Sequence, residues 1–242
     1  MQKLGRISRA AVVVLTLLSS AALFWGQAAL ARVTTEAFQI TTVIDGDTVH
    51  GLDAQGKKIK VRMQGMDAPE LHLMTEHGTF AQLPWAVASG HALENLVRLG
   101  ERIELRVFGK DKYGRTLGQI VVRGMNVNLE LVRQGAAISY SICPAGHCTE
   151  EMVREQQVHE FAEACRQAES RGIGVFDPRE PLDEMPFEFR LRIQGRKADK
   201  FVGSLTTGEY VSPDRYREIP VCDRIFFLSE QDAAQLGFRL RK

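Results

Sequence analysis

The stretch from Val43 to Glu70 leaves the chain the least freedom. It reads V-I-D-G-D-T-V-H-G, then K-I-K-V-R-M-Q-G-M-D-A-P-E. Asp45-Gly46-Asp47 between apolar residues is a hairpin-turn signal. Lys58 to Gln64 alternates strictly, with Ile59, Val61 and Met63 on one side and Lys58, Lys60, Arg62 and Gln64 on the other. That is the period of a half-buried strand. The stretch closes on Asp67-Ala68-Pro69-Glu70. If the strand at Lys58 runs antiparallel to one at Thr48, the two acidic turns meet at one end of a small sheet. Each turn alone is ordinary loop chemistry. Together, Asp47 and Asp67 offer oxygen ligands to a hard cation such as calcium or magnesium rather than zinc. An EF-hand is excluded, because Val49, His50 and Gly56 stand where its ligand, its glycine and its final glutamate belong.

The same reading extends along the chain. Phe38 to Ile44, Thr48 to Leu52, Glu101 to Val107 and Arg115 to Arg123 read as further strands. A helix is expected over about Phe80 to Leu99, bent near Pro84 and Gly90. A short helix follows, capped by Asn126 and stopped at Gly135. Ala136 to Tyr140 reads as a last short strand. Thr149 to Arg171 reads as one long helix capped by Thr149, with Val158, Phe161, Ala162, Cys165 and Ala168 on one face. Several short strands with a helix after the third, then helices at the end, give an α+β class. The expected architecture is a five-stranded OB-fold-like Greek-key barrel with packed helices.

Lys3, Arg6 and Arg9 precede an uncharged run from Ala10 to Ala31 that ends in Ala29-Leu30-Ala31. This is the pattern of a cleaved export signal over residues 1–31. An uncleaved anchor is the alternative, since the run is long enough to span a bilayer. An exported chain would be periplasmic or secreted. The full chain has a formal net charge of +1. Residues 1–31 hold three bases and no acids, so the remainder stands at −2 with neutral histidines. Net charge therefore gives no sign of a nucleic-acid partner, and a polyanion site needs a local basic patch or a metal. The four cysteines, Cys143, Cys148, Cys165 and Cys222, all follow the export segment. An oxidising compartment favours disulfides. Cys143 and Cys148 bracket a turn-forming stretch, so a local bond is expected there, leaving Cys165 with Cys222. A metal site of Cys143, His147 and Cys148 is the rival.

Arg62 and Arg115 are the expected anion partners, because a guanidinium can fork two hydrogen bonds onto a phosphate. For either alone, a solvated strand face is the simpler account. Arg115 closes Asp111-Lys112-Tyr113-Gly114-Arg115, which is also a plain polar hairpin.

The V-I-D-G-D-T turn, R-x-x-x-x-D-A-P-E, D-K-Y-G-R and the N-x-x-L-V-R-Q-G helix occur in this order. In that order and at that spacing they resemble the staphylococcal nuclease (thermonuclease) family over about Phe38 to Asp177. The resemblance implies one calcium ion bound by Asp47, Asp67 and the backbone carbonyl of Ala68, with Asp45 orienting the ligands. It implies Glu70 as general base, Arg62 and Arg115 on the scissile phosphate, and Lys112 and Tyr113 beside the nucleotide. The activity implied is endonucleolytic hydrolysis of DNA, and of RNA as well, leaving 3′-phosphates. The family's type member has threonine where this chain has Ala68. The segment from Leu71 to Gly90, with His72 and His77, also departs from the pattern.

Residues 178–187 read as a linker between a barrel domain at 32–177 and a small C-terminal α+β module at 188–242. A strand is expected at Phe189 to Gln194. Ser229-Glu230-Gln231-Asp232 is a capping-box pattern. This end resembles a small zinc-binding module with its ligands replaced, Val211, Arg215 and Arg241 standing near those places. Arg215, Arg217, Arg239, Arg241 and Lys242 are candidate phosphate contacts, or a solvated surface. No protein partner is inferable. Two rival functions remain, a non-catalytic nucleic-acid-binding barrel and a cell-envelope interaction protein that uses the barrel as a scaffold.

Overall fold

A computed structural model describes residues 33–75, 77–78 and 80–242. The expected export segment, residues 1–31, lies outside the described residues. Among these, no helix is long and apolar enough to cross a membrane.

The chain begins with β1 (Thr34–Asp45), β2 (Thr48–Leu52) and β3 (Lys58–Met63), each antiparallel to the last. Gly65 then lets the chain bend into a short β4 (Gly65–Asp67). Gly65 has φ +89°, and a Cβ there would sit 2.6 Å from the Phe161 ring, so only glycine fits. Helix α1 (Leu83–Leu96) leads to the hairpin of β5 (Arg102–Lys110) and β6 (Thr116–Val122). β1 pairs with β5, and β3 pairs in parallel with β6. The five strands β3-β2-β1-β5-β6 thus close on themselves as a mixed barrel. Phe38, Ile40, Val49, Val61, Met63, Leu105 and Ile120 are its buried core.

β7 (Met125–Asn126) opens onto α2 (Val127–Arg133), and β8 (Ile138–Cys143) follows. Asn126 caps α2 as expected, accepting from Leu129 N at 3.2 Å. Asn128 turns inward. Its amide accepts from Ile120 N and donates to the carbonyls of Gln64 and Gly118, locking α2 to the point where β3 meets β6. A buried amide satisfied on three sides fixes a register that apolar packing alone leaves free.

The expected long helix is two. α3 (Glu150–Glu155) and α4 (Val158–Arg171) are separated at Gln157, whose φ is +56°. The break is held by polar partners from the barrel. Gln119 Nε2 donates to the Gln156 carbonyl, and Asn126 Nδ2 donates to Gln157 Oε1. Helix periodicity carries no trace of those distant amides.

The expected strand at Phe189 to Gln194 is a helix, α5 (Pro186–Ile193). The F-E-F-R-L-R alternation suits a strand, but Pro186 is pre-set for a first helical turn. Phe187 then enters a cluster with Tyr140, Tyr216 and Phe226, at ring separations of 5.4–5.7 Å. The chain continues through β9 (Phe201–Ser204), β10 (Glu209–Val211), β11 (Arg224–Phe227), α6 (Glu230–Gln235) and β12 (Arg239–Leu240). Ser229 caps α6. β11 lies parallel to β8, so a second sheet runs β12-β10-β9-β11-β8-β4. The cysteines pair as Cys143–Cys148 and Cys165–Cys222, and the second bond ties α4 to the C-terminal segment.

Candidate active site

The two acidic turns do meet. Asp45 ends β1, and its carboxylate accepts from Asp47 N at 3.1 Å, which shapes the turn. Gly46 is demanded by crowding as much as by the turn. A Cβ there would overlap the Ser89 hydroxyl on α1 and fall 2.8 Å from Ala68 Cβ. Asp47 is buried and points across to the second turn, where its Oδ2 accepts from Ala68 N at 2.9 Å. Its Oδ1 accepts from the Thr48 hydroxyl.

Asp67 sits at the end of β4, opposite Ile138 of β8, with no exposed surface. Glu70 lies three residues on. Its backbone N–H donates to Gln82 Oε1, just before α1. Gln82 Nε2 in turn donates to the Glu184 carbonyl, so one buried amide spans the acidic loop and the segment leading into α5.

Arg62, on the polar side of β3, reaches over this end of the barrel and forms ion pairs with both Asp47 and Asp67. Carboxylates from two separate loops therefore converge on one guanidinium. A second guanidinium arrives from far along the chain. Arg190 of α5 forks onto Asp67, with Nη1 to Oδ1 at 2.8 Å and Nη2 to Oδ2 at 2.9 Å, and its Nη1 also donates to Glu70 Oε1. Sequence reasoning did not single out Arg190, since nothing local marks it among the arginines of that segment. The one usable signal is its placement three residues after Phe187, which puts both on one helix face.

Charge and burial set the state of these groups. Burial, added to repulsion from Asp47, raises Asp45 to about 6. Burial also raises Glu70 to about 7, with Arg190 opposing and Asp67 adding to the rise. Asp47 goes the other way. Burial pushes it up, but Arg62, the Ala68 N–H and Arg190 together hold it below the ordinary range. Arg62 and Arg190 are held more firmly charged than usual, their carboxylate partners outweighing burial.

Asp45, Asp47, Asp67 and Glu70 outnumber the two guanidiniums by two formal charges. The donors are hard oxygens, and a divalent cation is the charge that balances them. The Arg190 fork across both Asp67 oxygens already stands in for a cation at that carboxylate. On these grounds the residues fit a divalent ion. Among the described residues no three His, Cys, Asp or Glu side chains form a metal cage. An ion held by Asp47 and Asp67 would thus complete its shell with a backbone carbonyl and water, as hard cations do.

Arg115 stands just before β6, the strand paired with that of Arg62. It closes the β5–β6 hairpin, where its Nε donates to Asp111 Oδ2 at 2.7 Å. That bond helps hold Asp111 below the ordinary carboxylate range against its partial burial. Tyr113 is exposed at the hairpin tip, with the Lys112 ammonium 5.1 Å and the Arg115 guanidinium 5.7 Å from its ring centre. Since Leu117 is the register partner of Arg62, Arg115 lies two positions before that partner, at the entry to β6. The structure thus brings together Asp45, Asp47, Arg62, Asp67, Ala68 and Glu70. Lys112, Tyr113 and Arg115 form a cationic and aromatic group on the adjoining hairpin. His72 and His77 are exposed.

Residues 60–175 match the family described as staphylococcal nuclease homologues. An uncharacterized endonuclease of Haemophilus influenzae is 30% identical over 147 residues, covering 60% of this chain and 68% of that protein. The chain belongs to the staphylococcal nuclease family. Endonuclease YhcR of Bacillus subtilis is 35% identical over 207 residues, 84% of this chain. The chain spans only 16% of that protein's length. The thermonuclease of Staphylococcus intermedius is 33% identical over 102 residues, 42% of this chain and 58% of the thermonuclease. The region matched to the family holds Arg62, Asp67, Glu70 and Arg115, whereas Arg190 lies beyond its end.

Proposed function

We propose that this chain is an exported, calcium-dependent endonuclease that hydrolyses phosphodiester bonds of DNA and RNA. One observation carries the reading. Asp47 and Asp67, from loops 20 residues apart, are brought to a single guanidinium, with Glu70 joined to them through Arg190. A binding module has no use for buried acids facing a polyanion. The names of the relatives point the same way.

Asp47, Asp67 and the Ala68 carbonyl would hold the calcium ion, and Asp45 would fix the turn that aims Asp47. When bound, the ion supplies positive charge beside the phosphate and lowers the pKa of nearby water. Glu70 takes a proton from the attacking water, and a carboxylate raised to about 7 by burial is matched to that task near neutral pH. Arg62 donates to a non-bridging oxygen, where charge grows as the water oxygen bonds to phosphorus and the bond to the 5′ oxygen breaks, that oxygen leaving as a hydroxyl with a proton from solvent. Arg115 joins Arg62 on the scissile phosphate, and Lys112 and Tyr113 receive the nucleotide on the flank, Tyr113 offering a stacking face. The two disulfides support work outside the cytoplasm.

The test is to incubate the purified chain with plasmid DNA in calcium and in chelator. Nicking and linearisation in calcium alone is the expected result. DNA retained but uncut in both conditions would place the chain among non-catalytic binding barrels.

A further inference from the structure

Arg190 does something that calcium chemistry at the same carboxylates does not tolerate. Its fork closes both oxygens of Asp67, and its Nη1 also engages Glu70. Asp67 has no exposed surface, and its two oxygens already accept from Arg62 and Arg190. A cation that takes Asp67 as a ligand competes with this fork for the same two oxygens.

The contact is built rather than incidental. Phe187, one turn before Arg190, is buried against Tyr140 of β8, and Tyr140 is the register partner of Gly65 at the start of β4. Gln82 ties the Glu184 carbonyl, just ahead of α5, to the backbone of Glu70. Trp85 on α1 donates to the Glu180 carbonyl, fixing the same segment further upstream. β11 extends the β8 sheet, and Cys165–Cys222 clamps the far side. Together these anchors set α5 where Arg190 meets Asp67.

We propose that Arg190 is an internal counter-cation, a positioning residue that holds Asp67 and Glu70 until a divalent ion displaces it. The C-terminal segment thereby sets the ion concentration at which the site becomes competent. Ion entry exchanges one cation for another at Asp67. It frees the carboxylate of Glu70 and releases a guanidinium beside the position of the phosphate. The proposal rests on the metal-dependent reading above.

Calcium binding by isothermal titration calorimetry, without nucleic acid, tests it on the full chain, Arg190→Gln, Arg190→Lys and the control Arg179→Gln. Arg179 pairs with Asp177, two residues before it, and its own side chain is exposed. Removing the competitor should tighten calcium binding by Arg190→Gln about ten-fold or more, with Arg190→Lys between it and the parent and Arg179→Gln unchanged. The calcium-induced rise in Tm should be larger for Arg190→Gln than for the parent, as linkage requires. If Arg190→Gln does not fold in chelator, the Lys variant carries the comparison. Equal or weaker calcium binding by the Arg190 variants, with the parent binding normally, would overturn the counter-cation role alone. No calcium binding by any of the four proteins would remove the metal-dependent reading itself.

Discussion

Asp67 is a carboxylate with no exposed surface between two guanidiniums, Arg62 and Arg190. A buried charge in that position depends on its partners, and removing one partner typically costs about 3–5 kcal/mol. Arg62→Ala strips cations from Asp47 and Asp67 together, so equilibrium urea unfolding should show a loss of about that size. Cleavage by the folded fraction should fall about 10²–10³-fold, as when an electrostatic donor is removed. A variant with parental urea stability would mean that Arg62 is not the clamp described. The raised carboxylates make a second prediction. Asp45 at about 6 and Glu70 at about 7 lie above the ordinary range of about 4 for acids in an unfolded chain. The folded chain therefore binds more protons than the unfolded one between those values. The contribution of these two groups is full below about 4 and is lost as pH rises through about 6–7. In chelator, Tm should drop between pH 5 and pH 8, and calcium should restore more at pH 8. At this scale the sequence already shows Asp45, Asp47, Arg62, Asp67 and Glu70, because two acidic turns flank one alternating strand that carries the arginine on its polar side. It does not show Arg190, whose meaning lies in a contact 123 residues away.

Among the elements, strands were legible wherever apolar residues alternate around a single core, as in β2 and β3. Helix α5 was not, because its alternating pattern suits a strand and the deciding contacts belong to Tyr140, Tyr216 and Phe226. The break at Gln157 was hidden for the same reason, since its amide partners sit on the barrel. Gly46 shows a similar limit. It reads as a turn residue, but its neighbours Ser89 and Ala68 leave no room for a side chain. Gly46→Ala should therefore destabilise the chain by about 1–3 kcal/mol, the usual range for overpacking. It should also weaken calcium binding by shifting the Asp45–Asp47 turn from the Asp67 loop. Chemical denaturation and calorimetry on the same preparation report both, and parental values in both would show that the turn and α1 do not press on each other.

At the scale of the molecule, the barrel and the C-terminal segment share one sheet through β8 and β11 and one covalent tie, Cys165–Cys222. Loss of a disulfide of this kind typically costs about 2–5 kcal/mol. Cys165→Ala with Cys222→Ala should lower the urea midpoint by a corresponding amount. It should also raise calcium affinity, because α5 then holds Arg190 less firmly. Lower stability with unchanged affinity would separate the disulfide from the site. Three of the candidate phosphate contacts have acid partners within the segment: Arg215 on Glu218, Arg217 on Glu188 and Arg241 on Glu209. The segment's arginine at the site is instead Arg190. The central claim is that two converging loops and Glu70 form a phosphodiester-cleaving centre. Single-turnover cleavage of a single-stranded DNA oligonucleotide in calcium, comparing the parent with Glu70→Gln at matched folded concentration, tests it most directly. The account predicts a rate loss of about 10²–10⁴-fold, the range for a general base, with calcium binding retained. Undiminished cleavage by Glu70→Gln would contradict it.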